Sequence, residues 1–447
     1  MKQATSIKNR TSPRSALPPG PRTPALIQGL RQLHDPLGFA TKIRSRYGDV
    51  FSVSLPVFGR VVYVTSPEIV KAVFTGSPAI FHSGEMMAAV LEPTVGLNSV
   101  LVLDEEPHLR HRKLLLPPFH GERVQRYGEL IREITLEEME SWPVGERFAL
   151  GPHFQRIALA VIMKSIFGVH DVERLDRIEY LIEELQKHAP LVSLFRSLRR
   201  DFGRWSPWAR FLRARTAIDE FLYELIEQRR KQGDNGEHDD VLSLLMQARH
   251  DDGTKMSDVE LRDELIGIIG AGYETTTNLL AWTVERLLRT PRALERLRES
   301  ISAGEDDYLA ATVKEALRAR PVVTSLARKL TAPVQIGDFD LDAGTVIFPA
   351  ITALHYREDL FPEPEEFRPE RFLDGKAETY SWIPFGGGIR RCIGAAFAEY
   401  EMRTVLGTVF ERAVLRAPDQ RPERVKLRTV TLRPGKGTQV ILDRPLH

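Results

Sequence analysis

The stretch Phe385-Gly386-Gly387-Gly388-Ile389-Arg390-Arg391-Cys392-Ile393-Gly394 decides how the rest of the chain is read. It holds Cys392, the only cysteine among 447 residues. An isolated cysteine is usually a small buried hydrophobe, but its neighbours here argue for chemistry. Three consecutive glycines make a poor strand or helix and let the backbone turn tightly against something flat and bulky. Arg390 brings a cation that can meet carboxylates and that favours a thiolate. Gly394 then opens an apolar, alanine-rich helical run, Ala395-Ala396-Phe397-Ala398. A thiolate at a helix N-terminus is stabilised by backbone N–H groups that lack helical partners. The pattern describes a metal-binding sulfur. With no second cysteine, zinc and iron–sulfur sites of the multi-cysteine kind are excluded.

Phe385, Gly388, Arg390, Cys392 and Gly394 match all five fixed positions of FxxGxRxCxG, the haem-binding signature of the cytochrome P-450 superfamily. Five such matches arise by chance in roughly one window per million at ordinary residue frequencies. The chain resembles that family from about Pro18 onward. The resemblance implies a mainly α fold with small β-sheets (α+β), a β-rich N-terminal lobe and a long central helix over a haem. It implies one haem-thiolate domain over 18–447, after a disordered polar tail at 1–17. The cofactor it implies is haem b (iron protoporphyrin IX), with Cys392 as the iron ligand.

A second stretch supports the first. Ser257 and Glu260 form a capping box, and a helical pattern runs on to Arg289 before Thr290-Pro291 opens another helix. About 33 residues make a rod of roughly 50 Å. Its middle holds Gly267, Gly270 and Gly272, each costing about 1 kcal/mol relative to alanine. Glu274 and the run Thr275-Thr276-Thr277 follow. The Thr275 hydroxyl can bond back to the Ala271 carbonyl and loosen the helix. Ala271-Gly272-Tyr273-Glu274-Thr275-Thr276 resembles the family's oxygen-binding motif, (A/G)GxET(T/S). That implies Glu274 and Thr275 as the proton-handling pair, with Ala271 and Gly272 against the cofactor.

Three weaker signals fall in the same order as in the family. His108 and Arg112 share a helix face at i and i+4, where two cations repel by a few tenths of a kcal/mol unless an anion lies between them. The family's HxxxR pair binds a haem propionate, and Arg328 resembles a further propionate anchor. Glu315-Ala316-Leu317-Arg318 is an ExxR, and Arg371 lies in Phe367-Arg368-Pro369-Glu370-Arg371-Phe372. The resemblance joins Glu315, Arg318 and Arg371 in a buried triad.

Elsewhere the pattern predicts a helix from Asp35-Pro36 to Tyr47, a hairpin of Val50–Leu55 with Arg60–Val64, and a helix after Ser66-Pro67. Residues 76–103 carry many apolar side chains without a clear period and read as a long covering loop. Phe154–Phe167 reads as a buried helix stopped by Gly168. The basic–aromatic stretch 191–211 could touch a membrane surface, but such a mixture is far more often a helix–loop–helix lid over an apolar pocket, which is where the family has one; 232–240 reads as a polar loop. A helix at 395–411 and a hairpin of Val425–Leu432 with Thr438–Leu442, turned at Pro434–Gly437, close the chain.

Apolar residues make up 42% and charged residues 28%, and 62 Lys plus Arg balance 61 Asp plus Glu, so no bulk field attracts nucleic acid. No stretch approaches the 18 or so apolar residues that span a bilayer. A soluble, cytoplasmic monomer without a transmembrane anchor is expected. The segment before Asp35 has no acid, and Leu17-Pro18-Pro19-Gly20-Pro21 is similar to the proline-rich hinge of microsomal members. The expected reaction is hydroxylation of a lipophilic fatty acid, terpenoid, steroid or polyketide by O2. Its electrons come from a ferredoxin or flavodoxin with its NAD(P)H reductase, met by Arg110, Lys113, Arg391 and Arg403. A haem-thiolate peroxygenase or isomerase shares Cys392 but does not need Glu274 and Thr275. A haem sensor needs an output surface, and no effector module is visible.

Overall fold

The computed structural model describes residues 17–445 apart from 120, 201, 233–239, 374, 376 and 429. The polar tail up to residue 16 and nearly all of the polar loop at 232–240 therefore lie outside the described residues. Contacts group the chain into two compact units. One comprises residues up to 86, 278–392 and 415–441; the other comprises 87–277, 393–414 and those from 442.

The first unit is built on a five-stranded mixed sheet. Its order is Val50–Leu55, Gly59–Val64, Val346–Pro349, Arg328–Leu330, Phe81–His82. Phe51 faces Tyr63 in the first, antiparallel pair, and Val62 lies beside Ile347 in the one parallel pair. Because side chains alternate along a strand, both faces can be apolar when both are covered. Phe51, Val53, Leu55, Val61, Tyr63, Val346 and Phe348 meet the helix Gly38–Tyr47 on one face. Val50, Val62, Val64 and Ile347 join Val70, Val73 and Phe74 of the helix Pro67–Thr75 on the other. Local chemistry sets the helix ends. The Asp35 carboxylate accepts from the Gly38 N–H at 2.9 Å, Gly48 stops that helix at φ 85°, and Ser66 Oγ accepts from the Ile69 N–H.

The second unit is helical. Leu150–Phe167 is its buried centre, ended by Gly168 in the left-handed conformation, with the Val169 N–H returning to the Met163 carbonyl at 2.9 Å. Val172–Leu194 packs on Pro207–Gln232, and Ala395–Arg412 packs on Gly128–Met139. Val144 bridges Leu442, which returns the chain end to this unit.

Two expectations need correction. Residues 84–95, read as loop, form a helix with Pro93 inside it. Its apolar residues are spread around the axis, so no 3.6-residue stripe marks it. At the C-terminus the hairpin pairs Val425–Arg428 with Thr431–Pro434, Leu427 facing Leu432, and Gln439–Pro445 belongs to another sheet. Arg428 and Thr431 face each other at the closed end of this hairpin. Pro434-Gly435 instead closes the open end, where the Gly435 N–H donates to the Arg424 carbonyl at 2.7 Å.

The central helix spans Asp258–Leu287. Its capping box is complete: the Ser257 N–H donates to Glu260 Oε2 at 2.7 Å, and the Glu260 N–H donates to Ser257 Oγ at 3.3 Å. Two of its glycines answer to packing. A Cβ on Gly267 would lie 2.8 Å from Ser99 Oγ, and one on Gly272 would lie 2.8 Å from Ile162 Cδ1. The third, Gly270, meets nothing within 4 Å, and with Ala271 it is exposed on a helix otherwise largely buried.

Candidate active site

In the first unit, the signature turn is shaped by its glycines. Gly386 and Gly388 sit at φ 69° and 63°, a conformation costly for any side chain. A Cβ on Gly388 would lie 1.9 Å from the Phe74 carbonyl oxygen, and one on Gly387 would lie 2.7 Å from the rings of Phe74 and Tyr380. The turn thus presses its backbone onto Phe74. It closes where the Cys392 N–H donates to the Phe385 carbonyl at 2.9 Å, leaving Cys392 exposed and Arg390 half-buried. Phe385 is steadied by the Trp382 ring edge at 6.4 Å and the Arg391 guanidinium at 6.0 Å.

Beneath the turn lies a buried charge network. Arg318 Nε and Nη2 donate to the two Glu315 carboxylate oxygens at 2.7 Å each, with both side chains at 0% exposure. The same guanidinium donates to the carbonyls of His355, Pro364 and Glu366. Glu315 Oε1 also accepts from the Arg368 N–H at 2.9 Å and lies 3.5 Å from Arg371 Nε. Such a pair offsets its desolvation because nearly every polar atom is matched. His355, which the sequence reading passed over, connects the network to the turn. Its Nε2 accepts from the Ile383 N–H at 2.9 Å, and burial beside Arg318 pushes its pKa down to about 3. It therefore stays neutral and keeps its acceptor.

Arg328, also in the first unit, is buried. Its Nη1 donates to Ser83 Oγ at 3.0 Å and to the Ala327 carbonyl at 2.8 Å, and its guanidinium lies 5.3 Å from the Phe74 ring centre.

In the second unit, Thr275 Oγ1 donates to the Ala271 carbonyl at 2.7 Å and lies 3.4 Å from that of Gly272. Glu274 and Thr275 are half-buried, one turn from the exposed Gly270–Ala271 face. The first half of this helix carries acids that the sequence reading did not single out. Asp263 Oδ2 accepts from the Asn98 N–H and Nδ2, both at 2.9 Å. Fully buried Glu264 holds the Val100 N–H at 2.8 Å and His111 Nδ1 at 2.7 Å, and burial pushes its carboxyl pKa up. These contacts pin residues 96–101 and the helix Glu105–Leu115, on which His108 is buried and Arg112 half-buried. No motif announces them, because each depends on a partner more than 150 positions away in sequence.

The residues suit the implied cofactor. Among the described residues, no group of three or more His, Cys, Asp or Glu is placed to hold a metal ion. An exposed thiol at the end of a glycine-braced turn is a donor that fits a single-thiolate iron site. Arg112 in the second unit and Arg328 in the first are each a cation withdrawn from solvent, the kind of donor that suits a carboxylate. The flat Gly270–Ala271 face admits close approach. The cations expected to meet a redox partner have contacts within the chain, Arg391 over the Phe385 ring among them. Arg110 and Lys113 pair within the chain with Asp252 and Asp251, and Arg403 lies over the Tyr400 ring.

The cytochrome P450 family model matches residues 18–442. The chain is 36% identical over 430 residues to cytochrome P450 135B1 of Mycobacterium tuberculosis, covering 95% of this chain and 91% of that protein. It is 37% identical over 429 residues to cytochrome P450 138 of the same organism, covering 96% of each. Among solved structures it is similar to retinoic acid-bound cyanobacterial CYP120A1, with TM-score 0.83, 25% identity, and 96% and 100% of the two chains covered. The cytochrome P450DA heme domain superposes with TM-score 0.83 at 21% identity, covering 96% and 98%.

Proposed function

The chain belongs to the cytochrome P450 family and is a haem-thiolate monooxygenase; we propose that it hydroxylates a lipophilic small molecule of the fatty acid, terpenoid, steroid or polyketide class. The proposed cofactor is haem b, and the proposed electron source is a cytoplasmic ferredoxin or flavodoxin with its NAD(P)H reductase. The observation that carries the assignment is the exposed Cys392 thiol, presented by a turn that only glycine at 388 can make.

When bound, the haem supplies reductive activation of O2 and oxygen transfer to an unactivated C–H bond. The chain's own residues hold and serve it. Cys392 is the thiolate ligand, its backbone fixed by the Phe385 carbonyl. Phe385, Gly388, Arg390 and Gly394 shape its surroundings. His108, Arg112 and Arg328 hold the propionates. Ala271, with Gly270, gives the helix its bare face, and Gly272 next to it lets Ile162 approach. Thr275 keeps its hydroxyl proton on the Ala271 carbonyl until a water or an oxygen needs it, and half-buried Glu274 passes protons inward. Glu315, Arg318 and Arg371 are structural.

The substrate class rests on the apolar segment 84–95 and on the lid 191–211. Arg199 ties the lid to the Ala89 carbonyl at 2.8 Å, and Phe202 and Trp205 lie exposed on it. The retinoic acid in the similar cyanobacterial structure points the same way.

The test compares wild type, Cys392→Ser and Thr275→Ala, each supplied with a surrogate ferredoxin system or with hydrogen peroxide alone. Candidate lipids are first screened by the spin-state shift of the ferric haem. Wild type should turn over with reductant and O2. Cys392→Ser should lose the red-shifted ferrous–CO band. Thr275→Ala should consume O2 but release more hydrogen peroxide and less product per electron pair. A surviving CO band, or an unchanged ratio of product to O2, would sink the corresponding role.

A further inference from the structure

The Asp263 carboxylate of the central helix lies inside a wrap of backbone. The helix Gly84–Val95 ends on Gly96 at φ 86°, where a Cβ would lie 2.3 Å from Asp263 Oδ1. Only glycine lets the chain close over that carboxylate. Asn98 then fills Asp263 Oδ2 twice, the Val100 N–H donates to Glu264, and Gly267 makes room for Ser99. The other Asp263 oxygen accepts from Arg262 Nη1 at 2.5 Å. Arg262 is buried too, and its Nη2 reaches out of the central helix to Asp219 Oδ2 at 3.1 Å. Asp219 belongs to the helix Pro207–Gln232, into which the lid 191–211 runs. One ion pair, Arg262–Asp263, therefore stands between the two covering segments.

The two sides of that pair are unequal. Both Asp263 oxygens are matched. Toward the lid helix, Arg262 Nε, Arg215 Nε and Asp219 Oδ1 are buried without a protein partner, and Arg215 stands 3.7 Å from the Asp219 carboxylate. Burial pushes the Asp219 carboxyl pKa up against the pull of both arginines. Unmatched buried polar atoms weaken a contact, and all three fall on this side. The far end of the lid helix is anchored, because Arg229 bonds Asp240, Ser243 and the Phe167 carbonyl. Parting between Arg262 and Asp219 also leaves each side neutral. Asp219 stays with Arg215 and Arg262 with Asp263, so no uncompensated charge remains buried. We propose that Asp263 and Arg262 are positioning residues of the substrate pocket: Asp263 seats residues 96–100 on the central helix, and Arg262 ties that seat to the lid helix through a contact that parts to admit a bulky ligand. The inference rests on the reading of 84–95 and 191–211 as the pocket's cover.

The experiment is stopped-flow binding of two azoles to the full-length ferric holoprotein, read by the red shift of the Soret band. Imidazole is the small probe, and clotrimazole, an imidazole carrying three aromatic rings, is the bulky one. Asp219→Asn should raise the clotrimazole association rate by about tenfold and leave that of imidazole unchanged, with the ferrous–CO band retained. Asp219→Glu should restore the wild-type rate. Arg215→Gln, which strands Asp219 without a counter-charge once the contact parts, should slow clotrimazole instead. Asn98→Ala, which spares Asp263 and its pairing with Arg262, should speed clotrimazole dissociation by about fivefold. Asp219→Asn and Asn98→Ala together should change clotrimazole affinity non-additively, because Arg262 and Asp263 link them. Equal acceleration of both azoles, an unchanged clotrimazole rate in Asp219→Asn, a faster one in Arg215→Gln, or additive effects each overturn the proposal. The azole rates do not depend on which lipid is the substrate, so failure of the proposed substrate class shows only in the lipid screen.

Discussion

Glu315→Ala should unfold the signature region before it affects any chemistry. The substitution removes both carboxylate oxygens from the Arg318 guanidinium, and both side chains are fully buried. Arg318 keeps its three carbonyl acceptors but loses its counter-charge, while the Arg368 N–H loses its acceptor. Removing one partner of a buried ion pair costs about 3–5 kcal/mol. The unit that contains the pair has about 230 residues, and unfolding entropy of roughly 2.1 cal/mol/K per residue gives it about 0.5 kcal/mol/K. The melting temperature should therefore fall by roughly 6–10 °C if that unit melts cooperatively. The assay is calorimetry on the holoprotein, with haem retained per chain measured alongside. Arg371→Ala should cost less, because Arg371 Nε stands 3.5 Å from Glu315 and its guanidinium also reaches the Glu363 carbonyl. A Glu315→Ala protein that melts within about 2 °C of wild type with full haem loading would refute the reasoning, since a buried guanidinium would then be tolerated unpaired.

Two buried titratable groups should shape the pH dependence of stability from opposite sides. His355 has a pKa of about 3 in the fold against 6.5 when unfolded, so the unfolded chain binds the extra proton. Stability from this group is complete above pH 6.5 and declines as pH falls toward 3, by at most about 5 kcal/mol. His355→Gln, which keeps an acceptor for Ile383 without titrating there, should flatten that acid limb; identical limbs would dismiss the assignment. Glu401 is buried and its pKa is pushed up to about 8, so the fold retains a proton that the unfolded chain releases above about 4.5. The fold is therefore progressively penalised as pH rises from 4.5 through 8. Glu401→Gln should melt higher than wild type at pH 8 and alike at pH 4.5, and equal melting temperatures at both pH values would show that Glu401 is solvated.

What could be read in advance divides by the range of the physics involved. The capping box at Ser257 and Glu260, the stop at Gly168 and the bond from Thr275 to Ala271 each involve residues within a few positions of one another. The glycines of 386–388 were legible as a demand for close approach, although not that Phe74 is what they approach. By contrast, His355 reaches Ile383, and Glu264 reaches His111 and Val100, across distances at which a histidine or glutamate looks like any other.

The helix Ala25–His34, for which the sequence reading draws no signal, faces opposite to what its periodicity alone would give. Leu26, Leu30 and Leu33 form the stripe that a periodicity argument turns inward. The structure buries Gln28 instead, because Gln28 matches two carbonyls and an N–H at the sheet edge. A buried amide with its bonds satisfied costs little. An amide left out in water would forfeit those bonds, and the Ser54 N–H would lose its acceptor. Leucines left in water forgo their burial, as over half of a folded protein's surface does, whereas the Ser54 N–H at the sheet edge has Gln28 as its acceptor. The polar contacts decide which way the helix faces.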